Sequence, residues 1–172
     1  MQDKHRCAWC EKDDLYRNYH DNEWGKPVYD DQLLFEFLIL ETFQAGLSWY
    51  TILAKRNNFR KAFANFDYKK VAKYDESKIQ ELLLDAGIIR NQLKIRAAVS
   101  NAIAFMEVQK EFGSFYNYLW KFIDSKQIVN NHKNLSDYQT KTIVSDTISK
   151  DLKKRGMNFV GSTIIYAFMQ AV

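Results

Sequence analysis

Downstream of Asp31, apolar residues recur at three- and four-residue intervals almost to the end of the chain, the spacing of helices. The densest stretch is LLFEFLILETFQAGLSW, residues 33–49, in which Leu33, Leu34, Phe37, Leu38 and Glu41 follow the rows of one helical face. The pattern predicts a helix from a cap at Asp30 or Asp31 to about Thr42, a break at Gly46, and a second helix over 47–56. Shorter helices are expected over 58–65 and 68–73 with Asp67 as the cap between them, then one capped by Asp75 that runs through Leu84 until Gly87 ends it. The hinge GIIRNQLKI leads into a long amphipathic helix over 93–112, with Ile95, Val99, Ala102, Ile103 and Met106 on its apolar face and Gly113 as its stop. FYNYLWKFI reads as a short helix, 124–144 as a polar loop, and the last unit as a helix capped by Ser145, a turn bounded by Gly156 and Gly161, and a final helix. Residues 1–30 lack this periodicity and predict an irregular segment with one short helix near 15–19.

One proline, Pro27, and six glycines interrupt 172 residues, so the fold class is all-α, and the length suits a single domain with a substantial core. There is no run long enough to span a bilayer and no charged-then-apolar leader, so the chain reads as soluble and cytoplasmic. Charge sharpens the picture: residues 1–50 hold 5 Lys/Arg against 10 Asp/Glu, whereas 51–172 hold 20 against 11. A basic helical body suits a polyanion such as nucleic acid, although solvated lysines that maintain solubility give the same balance.

Glu41 is the chemical anomaly, because an unpaired carboxylate on a burying face costs several kcal/mol or more. It is either paired, protonated or used in a reaction. Trp49 follows it, and Tyr16, Tyr19 and Trp24 precede it, supplying flat faces; aromatic rings flanking a carboxylate can hold a planar base by stacking, with an acceptor at its edge. The unit SDTISKDLKKRGMNFVGSTIIYAFMQAV joins two helices through a glycine-bounded hairpin, with Lys153, Lys154 and Arg155 beside it. That suits a phosphate clamp in which backbone N–H groups and the positive end of a helix dipole grip the DNA backbone without reading sequence. The hinge DAGIIRNQLKIR, with Arg90, Lys94 and Arg96, is a second place for such contact. Cys7, Cys10 and His20 are zinc-type donors near the N-terminus, but a tetrahedral site needs four; His5 and His132 have no spacing to recommend them.

Taken in order, RCAW, YHDNEWG, ETFQAGLSW, DAGIIRNQLKI and KKRGMNFVGSTIIYAFMQA resemble the type I 3-methyladenine DNA glycosylases of bacteria, nearly from end to end. The resemblance implies a helix-hairpin-helix glycosylase fold and a monofunctional enzyme that flips out and hydrolytically releases 3-methyladenine from alkylated double-stranded DNA. It places the base-contacting and catalytic glutamate on Glu41, the stacking aromatics on Tyr19 and Trp49, and a further pocket tyrosine on Tyr16. The phosphate-binding hairpin falls on Lys153 through Gly161, and structural zinc ligands on Cys7 and His20. Two departures are visible. Family members continue past MQA into a tail whose His and Cys complete the zinc site, which leaves only two ligands in residues 1–172, with Cys10 as a substitute at most. Ala167 also stands where some relatives have a pocket serine.

The expected mechanism has an ionised Glu41 complementing a cationic base stacked between Tyr19 and Trp49, in a monomer. No lysine occupies a nucleophile position in the hairpin and following helix, which argues against lyase chemistry. The competing expectations are a glycosylase of the same fold for another lesion and a non-catalytic DNA-binding module.

Overall fold

The computed structural model describes residues 6–131 and 137–172, so His5 and His132 lie outside the described residues. Every described regular element is helical: α1 Asp14–Asn22, α2 Asp31–Gln44, α3 Trp49–Ala62, α4 Tyr68–Val71, α5 Glu76–Leu84, α6 Gln92–Phe112, α7 Phe115–Trp120, α8 Ile143–Lys154 and α9 Ser162–Ala171. Short 3₁₀ turns over Ala8–Cys10, Ala64–Phe66 and Lys121–Ile123 connect them. The helix starts follow capping chemistry: Asp13, Asp30, Ser48, Asp67, Asp75, Asn91, Ser114 and Thr142 each accept a backbone N–H of the first turn of α1 to α8 in order. Only α9, among the described helices, begins without a side-chain cap, at Gly161.

Helix α2 is the axis of the fold. Every residue from Leu34 to Phe43 is buried, so the single apolar face expected from its spacing is in fact a helix enclosed all round, the form taken when neighbours pack on every side. It meets α9, α3, α6 and α7. Phe35 packs edge-on against Phe105 of α6 at 5.2 Å, Phe105 stacks on Phe115 of α7 at 4.1 Å, and Phe43 meets Phe59 of α3 at 4.8 Å. At its start, the Asp31 carboxylate accepts from the Phe115 and Tyr116 backbone N–H groups at 2.8 and 2.9 Å, which ties α2 to the beginning of α7.

Three expectations change. The separate helix over 58–65 does not form: α3 continues to Ala62, and the chain then turns through left-handed Ala64, Asn65 and Phe66. That conformation costs about 1 kcal/mol per non-glycine residue and is offset here by complete burial of Phe63 and Phe66. On α6 the buried residues include Ile95, Ala98, Ala102, Phe105 and Val108, with Ile103 exposed at 49%, because helix neighbours cover a different arc from the one the aliphatic spacing suggests. The cap of α8 is Thr142, with Ser145 closing a reciprocal capping box three residues later.

Lys94 is buried at 5% exposure, and its ammonium donates to the Phe43 and Ala45 carbonyls at 2.7 and 2.5 Å. It therefore caps the C-terminal end of α2 and fixes the turn that leads back into α3, rather than facing a phosphate as its place in the hinge suggested. Lys94→Met should lower the unfolding free energy by about 1.5–3 kcal/mol, the worth of a hydrogen bond made by a charged group, while leaving the salt dependence of DNA binding unchanged. Denaturant unfolding and a salt titration on the same preparation check both halves.

Candidate functional site: an aromatic box on a buried carboxyl

The side chain of Glu41 emerges from the enclosed part of α2, one turn after Phe37, and is only 4% exposed. It makes no hydrogen bond and no ion pair with any described residue, and burial alone pushes its carboxyl up to about 8. At neutral pH the site by itself therefore holds Glu41 protonated, where the sequence led to the expectation of an ionised group. Its neighbour Glu36 shows the contrast: equally buried, it accepts from Arg56 at 2.5 Å and from Arg60 at 2.8 Å. Pairing was available on this helix, and Glu41 lacks it.

Aromatic rings from three elements form a connected cluster, of which Tyr16 and Tyr19 lie beside this carboxyl. Tyr16 and Tyr19 come from α1, Trp49 opens α3, Trp9 lies in the first 3₁₀ turn and Trp24 follows α1. Trp9 lies 4.8 Å from Tyr16 and 5.3 Å from Trp24, and Tyr19 lies 5.5 Å from Trp49 and 6.5 Å from Phe37 between ring centroids. The Tyr19 phenol is pushed up by burial first and by the adjacent Glu41 second, with Arg56 opposing; burial also raises Tyr16, again with Glu41 contributing. These shared influences put both phenols beside the Glu41 carboxyl. The indole N–H of Trp49 is buried with no acceptor among the described residues. The box thus contains an unpartnered carboxyl and an unpartnered indole N–H, which complement a flat ligand with polar edges.

The structure brings Glu41, Tyr16, Tyr19 and Trp49 together as the sequence implied, and adds Trp9, which stands in the RCAW motif but had no spacing relation to the others. It changes the stacking geometry. Tyr19 and Trp49 touch each other at an interplanar angle of 48°, and Tyr19 is 2% exposed, so they do not form the parallel slot of about 7–8 Å that a sandwiched ring requires. Trp49 is half-buried and keeps part of its surface accessible, while buried Tyr19 stands against it as a wall.

Near the N-terminus, His20 Nε2 lies 3.5 Å from the Cys7 backbone nitrogen, and its Nδ1 pairs with Asp21 at 3.0 Å, an orientation that leaves Nε2 toward Cys7. Cys10 is buried, with its thiol directed to the Cys7 carbonyl. Cys7 and His20 are chemically suited zinc donors, but among the described residues no group of three His, Cys, Asp or Glu side chains is placed to hold a metal. These residues alone do not fit a complete zinc site, and no chemistry below passes through one.

The hairpin between α8 and α9 is braced from inside. Asn101 of α6, fully buried, donates to the Asn158 carbonyl at 3.0 Å and accepts from its N–H at 2.8 Å, and Ser149 donates to the Val160 carbonyl at 2.7 Å. Gly156 adopts φ +90°, which explains the glycine by conformation. Gly161 has an ordinary extended φ of −61°, and a Cβ there would meet nothing in the protein. Its glycine makes physical sense for an external group approaching the uncapped first turn of α9. Lys153, Lys154 and Lys150 are exposed around this turn, and Lys150, Lys153 and Ser162 share one groove; Lys150 was not among the residues singled out from sequence. Arg155, by contrast, is held by Glu111 at 2.5 Å and Asp151 at 2.7 Å and lies over Phe112 and Tyr118, so it braces the helix junction instead of presenting a free cation. Arg90 is exposed in the α5–α6 turn.

Comparison with known proteins agrees with this arrangement. The methyladenine glycosylase family profile matches residues 9–172. The chain is 48% identical over 166 residues to DNA-3-methyladenine glycosylase 1 of Escherichia coli K12, covering 96% of this chain and 89% of that one. It is 46% identical over 167 residues to the DNA-3-methyladenine glycosylase of Haemophilus influenzae, covering 97% and 90%. Among solved structures, a crystal structure of 3-methyladenine DNA glycosylase I superposes with a TM-score of 0.94 at 46% identity, covering 97% of this chain and 92% of that one. The Staphylococcus aureus 3-methyladenine DNA glycosylase I, a structure concerned with 3-methyladenine recognition, gives 0.93 at 36% identity, covering 96% and 88%. With the profile and these relatives matching almost its whole length, the chain belongs to the methyladenine glycosylase family.

Proposed function

We propose that this chain excises 3-methyladenine from alkylated DNA in base-excision repair, gripping the DNA backbone with the α8–α9 hairpin and reading the extruded base with Glu41 inside the aromatic box. The observation that carries the residue assignments is the buried, unpartnered Glu41 carboxyl among stacking rings. A protonated carboxyl there is neutral and stable; an ionised one is stable only when a cation arrives. Alkylation at N3 makes the adenine nucleotide that cation. The base stacks on Trp49, its exocyclic amino group donates to Glu41, and the proton displaced from Glu41 leaves to solvent.

Bond cleavage then needs little help from an acid. The electrons of the glycosidic bond pass into the ring and discharge the cation, so the base departs neutral, while water adds its oxygen to the sugar's anomeric carbon and loses a proton. Glu41 is the charge-complementary acceptor for the departing base rather than the acid that protonates it. The proposed working unit is a monomer. Cys7 and His20 are this chain's proposed share of a zinc site, for which metal analysis of the purified protein is the direct measurement.

Release of free 3-methyladenine from methylated duplex DNA tests the activity itself; a protein that binds DNA and releases no base is a binding module instead. Glu41→Gln should weaken binding of free 3-methyladenine, a neutral base, about three- to tenfold, the scale of one net hydrogen bond, and unchanged affinity by titration would remove Glu41 from the base edge. Since a proton competes with the cationic nucleotide for Glu41, single-turnover excision should rise with pH toward about 8 and level off above it, and this rise should vanish in Glu41→Gln. For the hairpin, Lys153→Glu with Lys154→Glu should weaken duplex binding and flatten its log–log salt dependence by about 2, one for each lost phosphate contact.

A further inference from the structure

The helix that carries Tyr16 and Tyr19 is lightly packed. Its principal helical contacts are with α3 and the N-terminal turn, and it reaches the core through Tyr19, which is buried and packs against Phe37 of α2. Two polar ties compensate, one at each end, and both run to α3. At the start, the Tyr50 hydroxyl donates to Asp13 Oδ2 at 2.5 Å, while Asp13 Oδ1 separately caps α1 through the Tyr16 N–H. At the end, the Glu23 backbone N–H donates to the Tyr19 carbonyl and closes the last turn, and the Glu23 carboxylate accepts from Arg56 Nη1 at 2.5 Å. Arg56 is 6% exposed, is bonded to Glu36 on its other side, and lies 5.1 Å from the ring of Phe37, against which Tyr19 packs.

Both pins therefore fix α1 relative to α3, and these are the helices that supply Tyr19 and Trp49. We propose, resting on the base-binding role of the box, that Asp13–Tyr50 and Glu23–Arg56 are positioning pairs that set the relation of the Tyr19 wall to the Trp49 stacking face. They touch neither the base nor the DNA and act through α1. Glu23 belongs to the YHDNEWG motif, in which no role for this carboxylate was evident from sequence.

Two variants remove one pin each and spare the fold. Tyr50→Phe leaves the Asp13 cap in place, and Glu23→Gln leaves the buried Arg56–Glu36 pair intact. Each should weaken binding of free 3-methyladenine, followed by tryptophan fluorescence, about three- to tenfold, the scale of one net hydrogen bond, and the double variant should lose more than either. In multiple-turnover assays kcat should fall while KM for methylated duplex and affinity for undamaged duplex stay at the wild-type values, since the hairpin is untouched. Folded Tyr50→Phe protein with wild-type base affinity and kcat would overturn the proposal, as would a parallel loss of duplex affinity. Should Glu23→Gln fail to fold, Tyr50→Phe alone decides. If the unmodified protein itself fails to bind 3-methyladenine, the base-binding role falls, a result distinct from wild-type binding that the variants leave unchanged.

Discussion

The molecule is organised by the cost of enclosing α2 while that helix carries two buried carboxyl groups, Glu36 and Glu41. Taking either ion out of water costs several kcal/mol unless it is compensated. Glu36 is compensated by Arg56 and Arg60 of α3, and Arg56 also anchors the end of α1 through Glu23. Glu41, five residues on, receives nothing from the protein, and is stable in the empty box only as the neutral acid. The same helix thus holds a structural carboxylate and a recognition carboxyl, distinguished by whether a cation is built in or must be brought by the ligand.

That arrangement explains where the basic surplus goes. Lys94, Arg56 and Arg155 are consumed inside the fold as a helix C-cap, a buried ion pair and a junction brace. The cations left exposed near the hairpin, Lys150, Lys153 and Lys154, gather where α9 begins without a cap. Among the described helices, α1 to α8 satisfy their first turn with a side chain and α9 does not, which suits the proposed role of its free donors toward an external anion. Because α9 also packs along α2, the element proposed to grip the backbone of DNA is in direct contact with the one that carries Glu41.

Polar ties do similar work at the edge of the molecule. The apolar footing of α1 is Tyr19, and hydrogen bonds at its two ends hold the helix against α3, which carries Trp49. A helix that depends on two specific pins gives the box a defined shape without burying it beyond the reach of a base.

Helical class, most helix starts, the hairpin and the anomaly at Glu41 were legible in the sequence, because capping residues, glycine stops and apolar periodicity act over a few residues. The bounds of α3 and the buried arc of α6 were not, since which side of a helix is covered depends on neighbours far along the chain. Likewise Lys94 and Arg155 look like any surface cations until their partners, Phe43, Ala45, Glu111 and Asp151, are seen beside them. The sequence by itself determined that a carboxyl sits among apolar residues and that rings are available; only the tertiary structure decided that no cation reaches it, that Tyr19 and Trp49 meet at an angle, and that Trp9 joins them. Those outcomes are set by long-range packing, in which residues from three separate elements compete for the same few ångströms of space.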